Sequence, residues 1–136
     1  MEDRKLETLI RKLRRSRDRA YAEAAYYFVL DALDFTMLML EKNRRSGEAR
    51  HISGPELLEG IRCFARDEFG PLAPFAFHSW GLRHTGDFGT IVFHMVDVGL
   101  LNKHESDRPE DFLDGFDFQE AFRDIEALPL GGTLGS

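Results

Sequence analysis

The residues of this chain that could do chemistry are five histidines, one cysteine, one serine three residues before a glutamate, and a run of carboxylates. His51, His78, His84, His94 and His104 contain no HExxH pattern and no clean i, i+4 pair, so no helix face offers two imidazoles to one metal ion. His78 and His94 could meet only across neighbouring helices. His51 stands before a helix start and is expected to touch that start or a carboxylate such as Glu56. Cys63 lies beside Phe64 in a helical stretch and reads as a buried, inert thiol; a lone cysteine also excludes an internal disulfide and a Cys-only zinc site. Ser53 lacks the G-x-S-x-G setting of an activated nucleophile and reads as a helix cap.

The acidic stretch Asp107–Asp117 invites a calcium reading. Placing Gly115 at position 6 of an EF-hand loop puts Phe112 at position 3 and Ala121 at position 12, so the ligand pattern fails and a solvated loop remains. Gly131-Gly132-Thr133-Leu134-Gly135 has no helix after it and cannot cradle phosphate. Glu56 and Glu59 share a helix face, as carboxylates on surface helices routinely do. No catalytic residue, cofactor or metal ligand is expected from these patterns.

The elements that position these groups are helices. Leu6, Leu9, Ile10 and Leu13 follow one helical face within residues 1–17, and Lys5, Arg11, Lys12, Arg14 and Arg15 make the remainder basic. A long helix is expected over 18–43, with Asp18 as its N-cap and an apolar stripe through Ala22, Ala25, Tyr26, Val29, Leu33, Met37 and Leu40. Phe28, Leu30, Phe35 and Leu38 widen that stripe to other faces, which marks a central helix or one that meets another subunit. A polar loop with Arg44, Arg45, Gly47 and Arg50 follows.

Ser53-Gly54-Pro55-Glu56 is a capping box that opens a three-helix segment over 53–99. Its first helix stops near Phe69-Gly70, a short one runs from Pro71 to Trp80 with Gly81 as its stop, and Thr85 or Asp87 caps the third, which Gly99 ends. Residues 100–118 are expected to form an acidic hairpin or loop, with Leu100–His104 and Phe112–Phe118 as short strands. A last helical piece from Phe118 to about Ile125 leads into a flexible Gly-rich tail over 128–136.

Composition narrows the function classes. Hydrophobic residues make up 43% and charged residues 31%, the balance of one soluble globular domain, here 1–127. Twelve phenylalanines against three tyrosines read first as core volume. No signal-peptide pattern and no span-length apolar run is present, since Asp31 and Asp34 interrupt the best stretch; a cytoplasmic protein without a membrane span is expected. Net charge is −6, which disfavours broad attraction to nucleic acid, yet the basic start and the acidic stretch 104–126 give the chain two poles.

Several segments also carry a family likeness: Tyr21, Ala25-Tyr26-Tyr27-Phe28-Val29, Ala32-Leu33, and the run His51-Ile52-Ser53-Gly54-Pro55-Glu56-Leu57-Leu58-Glu59-Gly60-Ile61-Arg62. They continue with Phe69-Gly70-Pro71, Trp80-Gly81-Leu82-Arg83, Asp87-Phe88-Gly89-Thr90-Ile91-Val92-Phe93 and Phe116-Asp117-Phe118. In this ordered set the chain resembles a conserved hypothetical bacterial family found mainly in planctomycetes and verrucomicrobia. That family has no known activity, so the resemblance implies boundaries and no mechanism. A weaker likeness is to winged-helix domains, through the turn at Trp80–Leu82, the helix from Asp87 and a following hairpin. Base readout would need Arg, Lys, Asn or Gln on that helix, where the chain offers Asp87, Thr90, His94 and Asp97.

The expectation is a mainly α, single compact domain of five or six helices with a small C-terminal β-hairpin, winged-helix-like over 53–118. The favoured function is a non-enzymatic module for a protein partner or for self-association, with Trp80, Arg83, His84 and Asp87 as candidate contacts. The alternative is nucleic-acid binding through Arg11, Lys12, Arg14, Arg15, Arg44, Arg45 and Arg50. A small enzyme whose site the sequence does not display is third.

Overall fold

Ser53 and Glu56 start the helix that packs most extensively against its neighbour before it in the chain. In the computed structural model, which describes residues 2–16, 20–102 and 107–123, the Ser53 hydroxyl accepts from the Glu56 amide (3.2 Å) and Glu56 accepts from the Ser53 amide (2.9 Å). The described residues form six α-helices: α1 (Glu2–Ser16), α2 (Glu23–Met39), α3 (Gly54–Phe69), α4 (Ala73–Ser79), α5 (Thr85–Asp97) and α6 (Phe118–Phe122). Short 3-10 turns occupy Lys42–Arg44, Gly47–Arg50, Gly70–Leu72 and Pro109–Phe112. The mainly α expectation holds. No described helix is long and apolar enough to cross a membrane.

The second helix is shorter than the 18–43 span. Ala22 precedes its first turn without a side-chain cap, and Asp18 lies outside the described residues. At the other end Glu41 takes a left-handed φ of 55°. The turn brings Lys42 back onto α3, where its Nζ donates to the His51 carbonyl (2.6 Å) and to both oxygens of Glu56 (2.9 and 3.1 Å). Tying Lys42 to the α3 start is incompatible with continuing α2 to residue 43.

Burial pushes the Glu56 carboxyl up, but the Ser53 amide and the Lys42 ammonium outweigh it and hold the group below the ordinary glutamate range. A depressed folded value stabilises fully above that range and loses its contribution as pH falls through it. Glu56→Gln is therefore expected to flatten the acid limb of a melting-temperature series. Superimposable limbs for variant and wild type would show that the Lys42–Glu56 pair contributes nothing there.

Helices α2 and α3 run antiparallel: Phe28 meets Phe69 (6.1 Å between ring centroids) and Phe64 (5.4 Å), while Gly60 lies against Thr36. Phe77 of α4 joins this layer to the rest of the core, with ring centroids 5.6 Å from Phe28, 5.2 Å from Phe88 and 4.9 Å from Phe118. The surplus of phenylalanine is thus core volume in large part. Gly81, at φ 90°, reverses the chain after α4 and packs against the Ala20 carbonyl; Gly99, at φ 81°, ends α5.

No strand occurs among the described residues, so the expected hairpin is corrected over 107–118 and at 100–102; residues 103–106, including His104, lie outside the description. Phe112 is the reason. The residue is 4% exposed and its ring fills space at Gly54 and Gly89, where an added Cβ would stand 3.2 Å and 2.8 Å from the nearest ring carbon. Thr85 then occupies the backbone groups a hairpin would pair: its hydroxyl donates to the Phe112 carbonyl (2.6 Å) and accepts from the Gly115 amide (3.0 Å). Pro109 starts a 3-10 turn that Asp111 closes by accepting from the Arg108 amide (3.2 Å). With no strand to make a wing, the winged-helix-like arrangement over 53–118 does not arise among the described residues either. Asp117 caps α6 by accepting from the Glu120 amide (2.9 Å), and the segment 124–136, with the expected tail, lies outside the description.

Candidate binding surfaces

The turn between α4 and α5 places its four candidate contacts differently. Trp80 is half-buried, with its ring centroid 5.3 Å from Phe28, 5.8 Å from Phe69 and 6.2 Å from Phe77, so much of it fills core space. Arg83 and His84 are exposed. Asp87 turns inward, accepting from the Arg83 amide (2.8 Å), the His84 amide (3.3 Å) and the Tyr21 hydroxyl (2.7 Å). The N-cap of α5 is thus His84 rather than Thr85 or Asp87; Asp87 stands at the third helical position, reaches back to the amides before the helix, and fastens the start of α2 to it. Burial and then Asp87 push the Tyr21 phenol far up, so it stays protonated as a donor. A 520 Å3 hollow brings Arg83 and His84 beside Leu113, Asp114 and Asp117, where opposite charges offset one another.

The basic candidates divide into two groups. Arg11 and Arg14 approach Glu23 at the first turn of α2 (3.7 and 3.8 Å), and Arg14 also donates to the Tyr21 carbonyl (2.8 Å). Lys12 is exposed; the side chain of Arg15 lies outside the described residues. Arg44, Arg45 and Arg50 follow the last turn of α2 and are exposed, with Arg50 donating to the Asn43 carbonyl (3.2 Å). The 17 residues of α2 lie between the groups, about 25 Å at 1.5 Å per residue. One continuous phosphate-tracking stripe is not built from these two groups.

Among the histidines, His51 finds a carboxylate, but it is Asp107 (Nε2 to Oδ1, 3.0 Å) rather than Glu56. His94 is half-buried and shares a hydrogen bond with the Tyr26 hydroxyl through Nδ1 (3.0 Å), while His78 is exposed on α4. Among the described residues no three His, Cys, Asp or Glu side chains gather to hold a metal ion. Cys63 is half-buried rather than buried; burial and the Glu59 carboxylate push its thiol up, away from nucleophilic thiolate.

Two apolar features remain, and the sequence reading singled out neither. On the outer side of α4 and the turn that leads into it, Leu72 of the turn is 67% exposed and Phe75 of the helix is 76% exposed, while Ala73 and Phe77 face the core. The segment Gly70–Ala76 contains no polar side chain, so a short helix with one buried face had to show apolar residues on the other. That signal was legible. The second feature is a cavity of about 630 Å3 between α2, α3 and α5. Leu33 and Met37 of α2, Val92 and Val96 of α5, and Leu100 and Leu101 beyond it line the cavity, all only half-buried. Asp34, Arg50, His51, Asn102 and Asp107 supply its polar groups. The pairing of His51 with Asp107, remote in sequence, had no local signal.

No family model matches the chain, and no curated protein and no solved structure is found to be similar to it.

Proposed function

We propose that this protein is a non-enzymatic interaction module of the cytoplasm that associates with a second copy of itself through the outer face of α4. The observation that carries this reading is the exposure of Leu72 and Phe75 on a segment with no charged or polar side chain. Large aromatic and aliphatic side chains left in water gain about 25 cal/mol per Å2 when covered. Across a two-fold axis the same patch meets itself, and an uncharged patch sets no like charges opposite one another. That matters for a chain of net charge −6, whose copies otherwise repel.

Light scattering across a concentration series tests this. The mass is expected to rise from the 15.6 kDa of one chain towards twice that value. Phe75→Glu is expected to weaken association about thirtyfold, the effect of losing one interface hot spot. A wild type that stays at the single-chain mass at high concentration, or a Phe75→Glu variant that associates as well, overturns the reading.

A further inference from the structure

We infer that the cavity between α2, α3 and α5 is a binding site for a small neutral amphiphile, with its apolar body among the helices and an uncharged hydrogen-bonding head at the His51–Asp107 end. The inference is separate from self-association, because the cavity lining includes no residue of α4.

Three observations carry it. The first is size: about 630 Å3 falls within the roughly 300–1,000 Å3 of small-molecule sites. The second is incomplete burial. Leu33, Met37, Val92, Val96, Leu100 and Leu101 come from three segments, converge on one space and are each only half-buried. Helices that could close on one another would bury such side chains, so the space is held open by what lies around it. The walls that hold it are pinned: Phe112 is wedged at Gly54 and Gly89, and Lys42 ties the end of α2 to the α3 start. An apolar ligand body would cover what the protein leaves uncovered.

The third observation is mixed charge. Among the described residues the lining carries the carboxylates of Asp34 and Asp107, the guanidinium of Arg50 and the imidazole of His51, with His51 joined to Asp107 at 3.0 Å. An anionic head faces the Asp34 and Asp107 carboxylates and a cationic head faces the Arg50 guanidinium, so a head of either sign meets a like charge as it loses water. A neutral hydroxyl or amide has no such conflict, and the Asn102 amide supplies both a donor and an acceptor to meet it.

The neutral fluorophore N-phenyl-1-naphthylamine, titrated into the full chain, tests the site. Saturable binding of one probe per chain is expected, with decan-1-ol displacing it at least tenfold better than decanoate or decylamine. Val92→Phe and Val96→Phe fill the cavity and are expected to weaken probe binding at least tenfold, while Phe75→Glu leaves it unchanged. Should either filled variant fail to fold by circular dichroism, Leu101→Trp at the rim supplies the same readout. Non-saturating binding, equal affinity in folded, filled variants, or loss in Phe75→Glu overturns the cavity as the site. Equal displacement by the charged competitors overturns the neutral head.

Discussion

Gly60→Ala is expected to destabilise the protein by about 3 kcal/mol, the upper end of what one extra carbon costs in a packed interface. A Cβ at Gly60 would overlap the Thr36 Oγ1 and stand 2.8 Å from the Thr36 Cβ and 3.0 Å from its Cγ2. Rotating Thr36 cannot relieve this. Its Cβ is fixed by the α2 backbone, the residue is fully buried, and its hydroxyl is bound to the Ala32 carbonyl at 2.6 Å. The helices must separate, and the Phe28 contacts to Phe64 and Phe69 lie along the same crossing. Urea denaturation followed by Trp80 fluorescence, a clean probe because it is the one tryptophan, reads the loss. Thr36→Ala in the same chain removes two of the three obstructing atoms, so the double variant should be more stable than the sum of the single effects by at least about 1 kcal/mol. Additive effects would mean that the two residues do not limit the approach of α2 and α3.

That crossing shows where sequence reasoning runs out. Helix starts and stops rest on neighbours in the chain, so Ser53 with Glu56, Gly81 and Gly99 were legible, as was the mainly α architecture. Gly60 carried no such message: inside an apolar helical stretch it reads as a local weakness, and its use appears only when Thr36 arrives from another helix. The same holds for Phe112. Phe112, Phe116 and Phe118 fit an alternating strand only in part, and the space at Gly54 and Gly89 captures the Phe112 ring and bends the backbone into a turn. Lys42 likewise shortens α2 through a partner fourteen residues on.

The candidate sites divide along the same line. The start of α5 was legible near Thr85–Asp87 because capping is local, but the N-cap itself, His84, and the bond from Tyr21 to Asp87 were not. The apolar breadth of α2 was visible as composition, and its meaning differs by flank. Phe28 is buried against α3 and α4, Leu33 and Met37 border the cavity, and Leu38 faces solvent. Periodicity ranks these residues alike because each is apolar; only neighbours in space separate core from lining and from surface.

Thr85→Val is the second large effect, expected at about 2–3 kcal/mol with little change in shape. The hydroxyl is 1% exposed as part of its residue and serves two backbone groups, donating to the Phe112 carbonyl and accepting from the Gly115 amide. Valine fills the same volume and satisfies neither, and a buried carbonyl or amide left unpaired costs about 1–3 kcal/mol. The Gly115 side of this contact is the more exposed, so water recovers part of its loss and the total stays below the sum for two buried groups. The damage should be local in origin, because the bonds to Thr85 hold the turn that seats Phe112 between α3 and α5. Hydrogen exchange should therefore quicken at Gly115 and through 110–114, while amides at the α2–α3 crossing keep protection up to the reduced global stability. Thr85→Ser retains the hydroxyl and should recover most of the loss, leaving a smaller effect from the missing methyl. If Thr85→Ser is as unstable as Thr85→Val, packing of the methyl rather than the two hydrogen bonds holds the turn in place.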